Sequence, residues 1–280
     1  MRIAAITMVW NEALFLPLWL AYYGRQLGHE NLYVIDNDSD DGTTRNMEPS
    51  SRLRYVRSEF DDNERAQFVS RFANLLRQNY DAVIITDCDE FLIPDPLFCN
   101  SLRDYVAMTP GDALASIGLN VHHIVGLEGP LNASRPIFEQ RRHVQFVSPM
   151  CKPSITRKTA EYGPGFHYCS LKPTFGPLFN FHLRWVDYDY ALKRLSMTRQ
   201  MRWKDSSGWH YQRQSDEETI SHFRHYASFE RRIDEKFEFA TQLKTIVSFL
   251  ASQASAEKYR IPDVRDSYLT VVPSRFGALL

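Results

Sequence analysis

An apolar run, Ala82-Val83-Ile84-Ile85, passes through Thr86 into Asp87-Cys88-Asp89-Glu90, three acids within four positions. A buried strand can hold Ala82 to Ile85 on both faces. It cannot hold Asp87, Asp89 and Glu90 unpaired without a large desolvation cost. These acids are expected where the strand emerges, at the carboxyl edge of an open α/β sheet, the edge at which such sheets bind ligands. Extended backbone turns residues two apart to one side, so Asp87 and Asp89 should face one target, with Cys88 turned inward as a small buried hydrophobe. Two hard oxygen ligands suit Mn²⁺ or Mg²⁺, shared with a phosphorylated ligand.

The elements that would position these acids follow from periodicity. Ile3 to Val9 reads as a strand, and Leu14, Phe15, Leu18, Trp19 and Tyr22 recur at helical spacing until Gly24 and Gly28 stop the helix. Leu32 to Ile35 and Leu53 to Val56 read as strands. Glu64 to Asn79 reads as an amphipathic helix with Phe68, Phe72, Leu75 and Leu76 on its apolar face. This alternation predicts a parallel, right-handed wound sheet. Further on, Ser101 to Met108 reads as a helix, Ala113 to Val121 as an alternating strand, and short strands are expected near Val144 and Ile155. From Tyr188 the chain turns helical and charged, with one long helix expected from Phe229 through Leu250. The predicted class is an α/β mixed sheet flanked by helices. Residues 1–195 would form the catalytic domain, with residues 196–280 a helical C-terminal extension packed on it.

Composition narrows the function classes. The chain has 280 residues, a net charge of −1, 44% hydrophobic and 24% charged residues, so it offers no basic field for nucleic acid. No stretch is long and apolar enough to span a bilayer, and the first residues read as a strand, not a signal peptide. Cys88, Cys99, Cys151 and Cys169 form no CxxC pair or dense framework, which points to a reducing cytoplasm, with at most peripheral contact with the inner membrane.

Three polar clusters follow early strands: Asn11-Glu12, Asp36 to Thr43, and Asp87 to Glu90. In a parallel sheet they converge on one edge. Gly42 stands alone, so neither a dinucleotide fingerprint nor a P-loop is present, and a metal must neutralise any diphosphate.

Together, the first strand ending in Asn11-Glu12, the segment Val34-Ile35-Asp36-Asn37-Asp38-Ser39-Asp40-Asp41-Gly42-Thr43, and Ile85-Thr86-Asp87-Cys88-Asp89-Glu90-Phe91-Leu92 resemble the GT-A glycosyltransferases. They are most similar to the family-2-like branch with an Asp-x-Asp-Glu-Phe metal motif. The resemblance covers residues 3 to 110 well and extends more loosely to about 195. It implies a Rossmann-like GT-A fold and inverting transfer of a sugar from a nucleotide-diphosphate donor to a carbohydrate or lipid-linked acceptor, in bacterial surface-polysaccharide or glycoconjugate synthesis. It places Asn11, Glu12, Asp36, Asn37, Asp38 and Asp87 on the donor nucleotide, with Asp87 and Asp89 at ribose and metal. Arg71, with Asn74 one turn on, resembles an Arg-x-x-Asn of the wider family. The resemblance also implies a histidine completing the metal shell, and His182 and His167, each in an aromatic setting, are the candidates.

Arg65, Arg71 and Lys152 can offset diphosphate charge. The family's acid pair has no counterpart at the usual spacing, since Glu217-Glu218 lies late and in a helical context. Glu128, Asp112 and Asp187 are therefore the candidates for the base that deprotonates the acceptor. Two rival readings are a sugar-phosphate nucleotidyltransferase and a non-catalytic carbohydrate-binding protein. The first usually has a Gly- and Arg/Lys-rich loop where this chain has Asn11-Glu12-Ala13-Leu14. The second has no need of Asp87 and Asp89.

Overall fold

The computed structural model describes residues 1–45, 47, 51–204, 212–253 and 256–280. The chain runs β1 (Ile3–Val9), α1 (Phe15–Leu27), β2 (Leu32–Asp36), β3 (Ser51–Arg54), α2 (Asp62–Leu76), β4 (Ala82–Ile85), β5 (Glu90–Pro94) and α3 (Leu102–Met108). It continues β6 (Ala113–His122), α4 (Ile137–Gln140), β7 (His143–Phe146), β8 (Ile155–Thr156), β9 (Pro173–Trp185), α5 (Tyr188–Arg199), α6 (Asp216–Ala227), β10 (Glu230–Ile233), α7 (Ala240–Ser252) and β11 (Tyr268–Val271). These strands form one mixed sheet in the order β10-β11-β7-β6-β8-β4-β1-β2-β3. β3, β2, β1 and β4 run parallel to one another, and β8 runs antiparallel between β4 and β6. β9 pairs parallel with β6 and carries β5 antiparallel on its other side. The result is the mixed α/β, Rossmann-like architecture expected from the alternation of strands and helices.

Period-two alternation sorts the first strands between two layers. Ile3, Ala5, Val34, Ala82 and Ile84 share a core with Phe15, Leu16, Trp19 and Tyr23 of α1. Ala4, Ile6, Ile35, Val83 and Ile85 point the other way and meet Ala66, Val69 and Ala73 of α2. The buried face of α2 is thus made of small residues, which lets the helix sit close to the sheet. Phe68, Phe72 and Leu76 lie at its rim, and Leu75, expected on the apolar face, is exposed. α1 runs through Gly24, where an added Cβ would meet the His29 ring at 2.3 Å, and stops at Gly28, whose φ of 92° suits glycine. β6 is buried at nearly every position instead of alternating, because it lies in mid-sheet with both faces covered.

The long helix expected over residues 229–250 does not form. Glu230–Ile233 is strand β10, parallel to β11, and β11 joins the sheet antiparallel to β7. Phe237 and Phe239 then take left-handed backbone, φ 55° and 51°, before α7 starts. Their rings drop into an aromatic cluster with Phe146, Phe179, Phe181 and Phe276. Left-handed backbone costs roughly 1–2 kcal/mol per residue, and burying each ring returns about 1.5–3 kcal/mol, so burial wins over helix continuity. The C-terminal extension therefore contributes two strands beside its helices.

Candidate active site

The carboxyl ends of the four parallel strands open on one cavity of about 530 Å³. β1 supplies Trp10 and Glu12, β2 Asn37, β3 Arg57, and β4 the segment Asp87 to Glu90; Lys152, His167, His182 and Arg184 close it from the later strands and loops. The convergence expected from a parallel sheet is what brings these residues together.

Within the acidic segment the strict alternation does not hold, because β4 ends at Ile85 and Asp87 to Asp89 form a turn before β5. Asp87 is turned into a pair of cations: Arg65 donates to one oxygen at 2.7 Å and Lys152 to the other at 3.0 Å. Burial opposes its ionisation, but the Lys152 ammonium and Arg65 guanidinium overcome this and hold the carboxyl far below the usual range. Asp87, expected on ribose and metal, is thus engaged on both oxygens by protein. Arg65 and Lys152, expected on diphosphate, serve it.

Glu90 is fully buried at the start of β5. Lys152 donates to its Oε1 at 2.5 Å, while Oε2 has no hydrogen-bond partner among the described residues. Burial pushes this carboxyl upward against the pull of Lys152. Burial also disfavours the charged ammonium of Lys152, but Asp87 and Glu90 flank it and raise its pKa.

The β5–β9–β6 ladder sets Glu90 opposite His182, and His182 opposite Asn120. Asn120 Oδ1 lies 2.7 Å from His182 Nδ1 and can accept its proton, which orients the ring with Nε2 toward Asp89 Oδ2, 3.4 Å away. Burial opposes ionisation of Asp89, and His182 more than offsets it, so the carboxyl sits below its ordinary value. Asp89, Glu90 and His182 each offer one ligand atom within 4.8 Å of the others. Two carboxylates and an imidazole nitrogen at this spacing fit a divalent cation such as Mn²⁺. Glu90 takes the place in this set that alternation assigned to Asp87. His167 lines the same cavity but binds the Pro149 carbonyl through Nδ1 at 2.7 Å and lies outside the set. Burial, aided by Lys152, lowers its pKa to about 4.

On the nucleotide side, Asp36 is buried at 0% exposure and does not face the cavity. Its carboxylate accepts from Ser39 N–H, Thr44 Oγ1 and Arg52, which ties the loop after β2 to β3. Burial works against that charge and these donors outweigh it. Asn11, at φ 49°, clasps the same loop through Ser39, Asp40 and Asp41. Asp38 pairs with Arg54 at the surface. Arg71 is exposed and outside the cavity lining, while Asn74 holds the Ala160 backbone. Of this group Asn37 and Glu12 reach the cavity. Glu12 accepts from the Tyr190 hydroxyl and pairs with Arg194 at 3.2 Å. Burial raises its pKa to about 7, with Arg194 opposing.

The three base candidates lie elsewhere. Glu128 holds Ile124 N–H and His143, with Arg141 at 3.9 Å. Asp187 caps α5 through Tyr190 N–H and also accepts from Leu131 N–H. Asp112 pairs with Lys158 on the surface. All three are committed to structure. Sequence reasoning passed over Asn120, Arg57, Tyr190, Arg194 and His222, all cavity residues. His222 stacks on Trp185 at 3.9 Å, and burial lowers its pKa to about 3. The one signal available was position: Arg57 lies just past a strand end, as Asn37 does.

No family model matches the chain, and no curated protein matches it. Several solved structures are similar in part. A mannosyltransferase from Pyrobaculum calidifontis in complex with GDP-Man and Mn²⁺ is 21% identical over 44% of this chain and 35% of that one, at a TM-score of 0.28. A cytidylyltransferase from Leptospira borgpetersenii is 13% identical over 46% and 57%, at 0.25. A mannose-1-phosphate geranyltransferase from Thermus thermophilus is 11% identical over 65% and 58%, at 0.31. The chain thus spans less than two thirds of each of these proteins, and likeness at such TM-scores carries no weight for activity.

Proposed function

We propose that the chain is a metal-dependent glycosyltransferase that moves a sugar from a nucleotide-diphosphate donor to a carbohydrate or lipid-linked acceptor. The observation that supports this best is the placement of Asp89, Glu90 and His182, with ligand atoms within 4.8 Å, on the cavity where the parallel strands end. In this reading those three residues hold Mn²⁺ or Mg²⁺, which would supply charge neutralisation for the leaving diphosphate. Arg65 and Lys152 keep Asp87 ionised and fixed beside them. Glu12, at a pKa of about 7, can take up a proton near neutral pH. Among the described residues no helix is long and apolar enough to cross a membrane. The four free cysteines support placing the reaction in a reducing cytoplasm.

The test is donor turnover by chelated protein, with and without added Mn²⁺, across a panel of nucleotide sugars. Release of nucleoside diphosphate that depends on the metal is expected. Pyrophosphate release from a sugar phosphate and nucleotide triphosphate would replace this reading with a nucleotidyltransferase. Binding without turnover would leave a carbohydrate-binding protein.

A further inference from the structure

Arg57 stands apart from most other cavity cations. Arg65, Lys152, Arg194 and Arg265 each pair with a carboxylate. Arg57 instead bonds a neutral group, Nε donating to Asn37 Oδ1 at 3.1 Å. Its Nη1 is buried with no hydrogen-bond partner among the described residues. Its planar head lies 5.1 Å from the Phe60 ring centroid, and Phe60 leans on Trp203 at 4.6 Å. Hydrogen bonds tie that wall together: Phe60 N–H donates to Arg202 O, Lys204 N–H to Phe60 O, and the Trp203 indole to Thr198 O. Asn37, Arg57, Phe60 and Trp203 all line the cavity.

Topology says which part of a ligand reaches them. In the order β4-β1-β2-β3, Asn37 and Arg57 lie two and three strands from the acidic turn after β4, roughly 10 and 14 Å at normal strand spacing. A nucleoside diphosphate whose phosphates sit at Asp89, Glu90 and His182 can cover that distance with its base. A guanidinium is donor-only, and with Nε taken its two terminal nitrogens form an end-on fork. A buried, unpartnered donor there favours an edge with two adjacent acceptors and rejects one that presents a donor. Guanine offers such an edge at O6 and N7, and cytosine at O2 and N3. Adenine sets its amino group beside N7, and uracil sets N3–H between its carbonyls.

Resting on the glycosyltransferase reading, we propose that Arg57 selects the donor base, with Asn37 fixing its fork and Phe60 and Trp203 walling the base, and that the donor is a guanosine or cytidine diphosphate sugar. The test is calorimetry of the full chain with saturating Mn²⁺ and GDP, CDP, UDP or ADP, for wild type, Arg57→Lys and Arg57→Gln. GDP or CDP should bind wild type on the order of 10- to 100-fold more tightly than UDP and ADP, the range of one bidentate base contact. Both variants should flatten that ranking while still binding through the diphosphate. UDP or ADP within about twofold of the better of GDP and CDP would overturn the proposal, and so would an equal loss for all four in the variants, which would put Arg57 on the phosphates. Failure of all four to bind would overturn the glycosyltransferase reading, and this one with it. The wild-type ranking needs no variant to fold.

Discussion

Replacing Lys152 by Met should unsettle the site more than any other single change there. The ammonium is buried and bridges Asp87 at 3.0 Å and Glu90 at 2.5 Å. Asp87 would keep Arg65, but Glu90, already without a partner on Oε2, would lose the one on Oε1. Breaking a buried pair by deleting one partner costs about 3–5 kcal/mol. At roughly 2–4 °C per kcal/mol for a domain near this size, Tm should fall on the order of 10 °C. The loss should depend on pH. Burial already raises the Glu90 carboxyl, and removing the ammonium that pulls it down raises it further. A carboxyl raised in the folded state contributes stability that is full below its unfolded pKa and is lost as pH rises through the folded one. The variant's deficit in metal-free buffer should therefore be larger at about pH 8 than at about pH 5. Added Mn²⁺ should restore more of Tm in the variant than in wild type, because a cation on Asp89, Glu90 and His182 replaces the missing charge. Thermal melts followed by circular dichroism read all three effects. A fall below about 2 °C, or a deficit equal at both pH values, would show that Lys152 does not carry Glu90.

Asp89→Ala should abolish transfer while leaving Tm within a few degrees, and retention of wild-type turnover with Mn²⁺ would remove the metal site. His182→Ala should raise the Mn²⁺ concentration needed for half-maximal activity, with partial rescue by excess metal; superimposable titrations would return His182 to a structural role. Asn120→Leu should weaken metal binding about 10- to 100-fold by freeing the tautomer of His182, without touching the ion itself, and unchanged affinity by calorimetry would refute that arrangement. Asp36→Ala should lower Tm and nucleotide affinity together, since its carboxylate organises the loop that carries Asn37. Lost affinity at unchanged Tm would mean direct contact with the ligand.

The early strands and their shared edge were legible because β1, β2 and β4 are short apolar runs bounded by polar turns, and period two then assigns each side chain to a layer. The buried face of α2 was not, because hydrophobic size misleads when a helix packs closely: Ala66, Val69 and Ala73 share a core with the sheet while Leu75 is exposed. Residues 229–250 failed for a tertiary reason. Their acid–base spacing reads as helix, yet what decides the backbone is the room for Phe237 and Phe239 among rings from β9 and the C-terminus. No local pattern encodes that room.

The site divides along the same line. Which loops meet at the edge follows from topology, and topology was readable. Which oxygen points where depends on residues that arrive from far along the chain. Lys152 crosses from the β7–β8 connection to capture Asp87, a separation of 65 residues, and His182 arrives on β9 to face Asp89 and Glu90. An acid motif therefore names a place before it names its ligands. With Asp87 claimed by two cations, the proposed ligand set exchanges it for Glu90 at the start of β5, where the strand register lines up Glu90, His182 and Asn120 across three strands. That register is rigid in a way a turn is not. A metal shell built on it should tolerate substitutions at Cys88, within the turn, better than any change that slips β9 against β5, because a one-residue slip would turn His182 to the opposite face of the sheet.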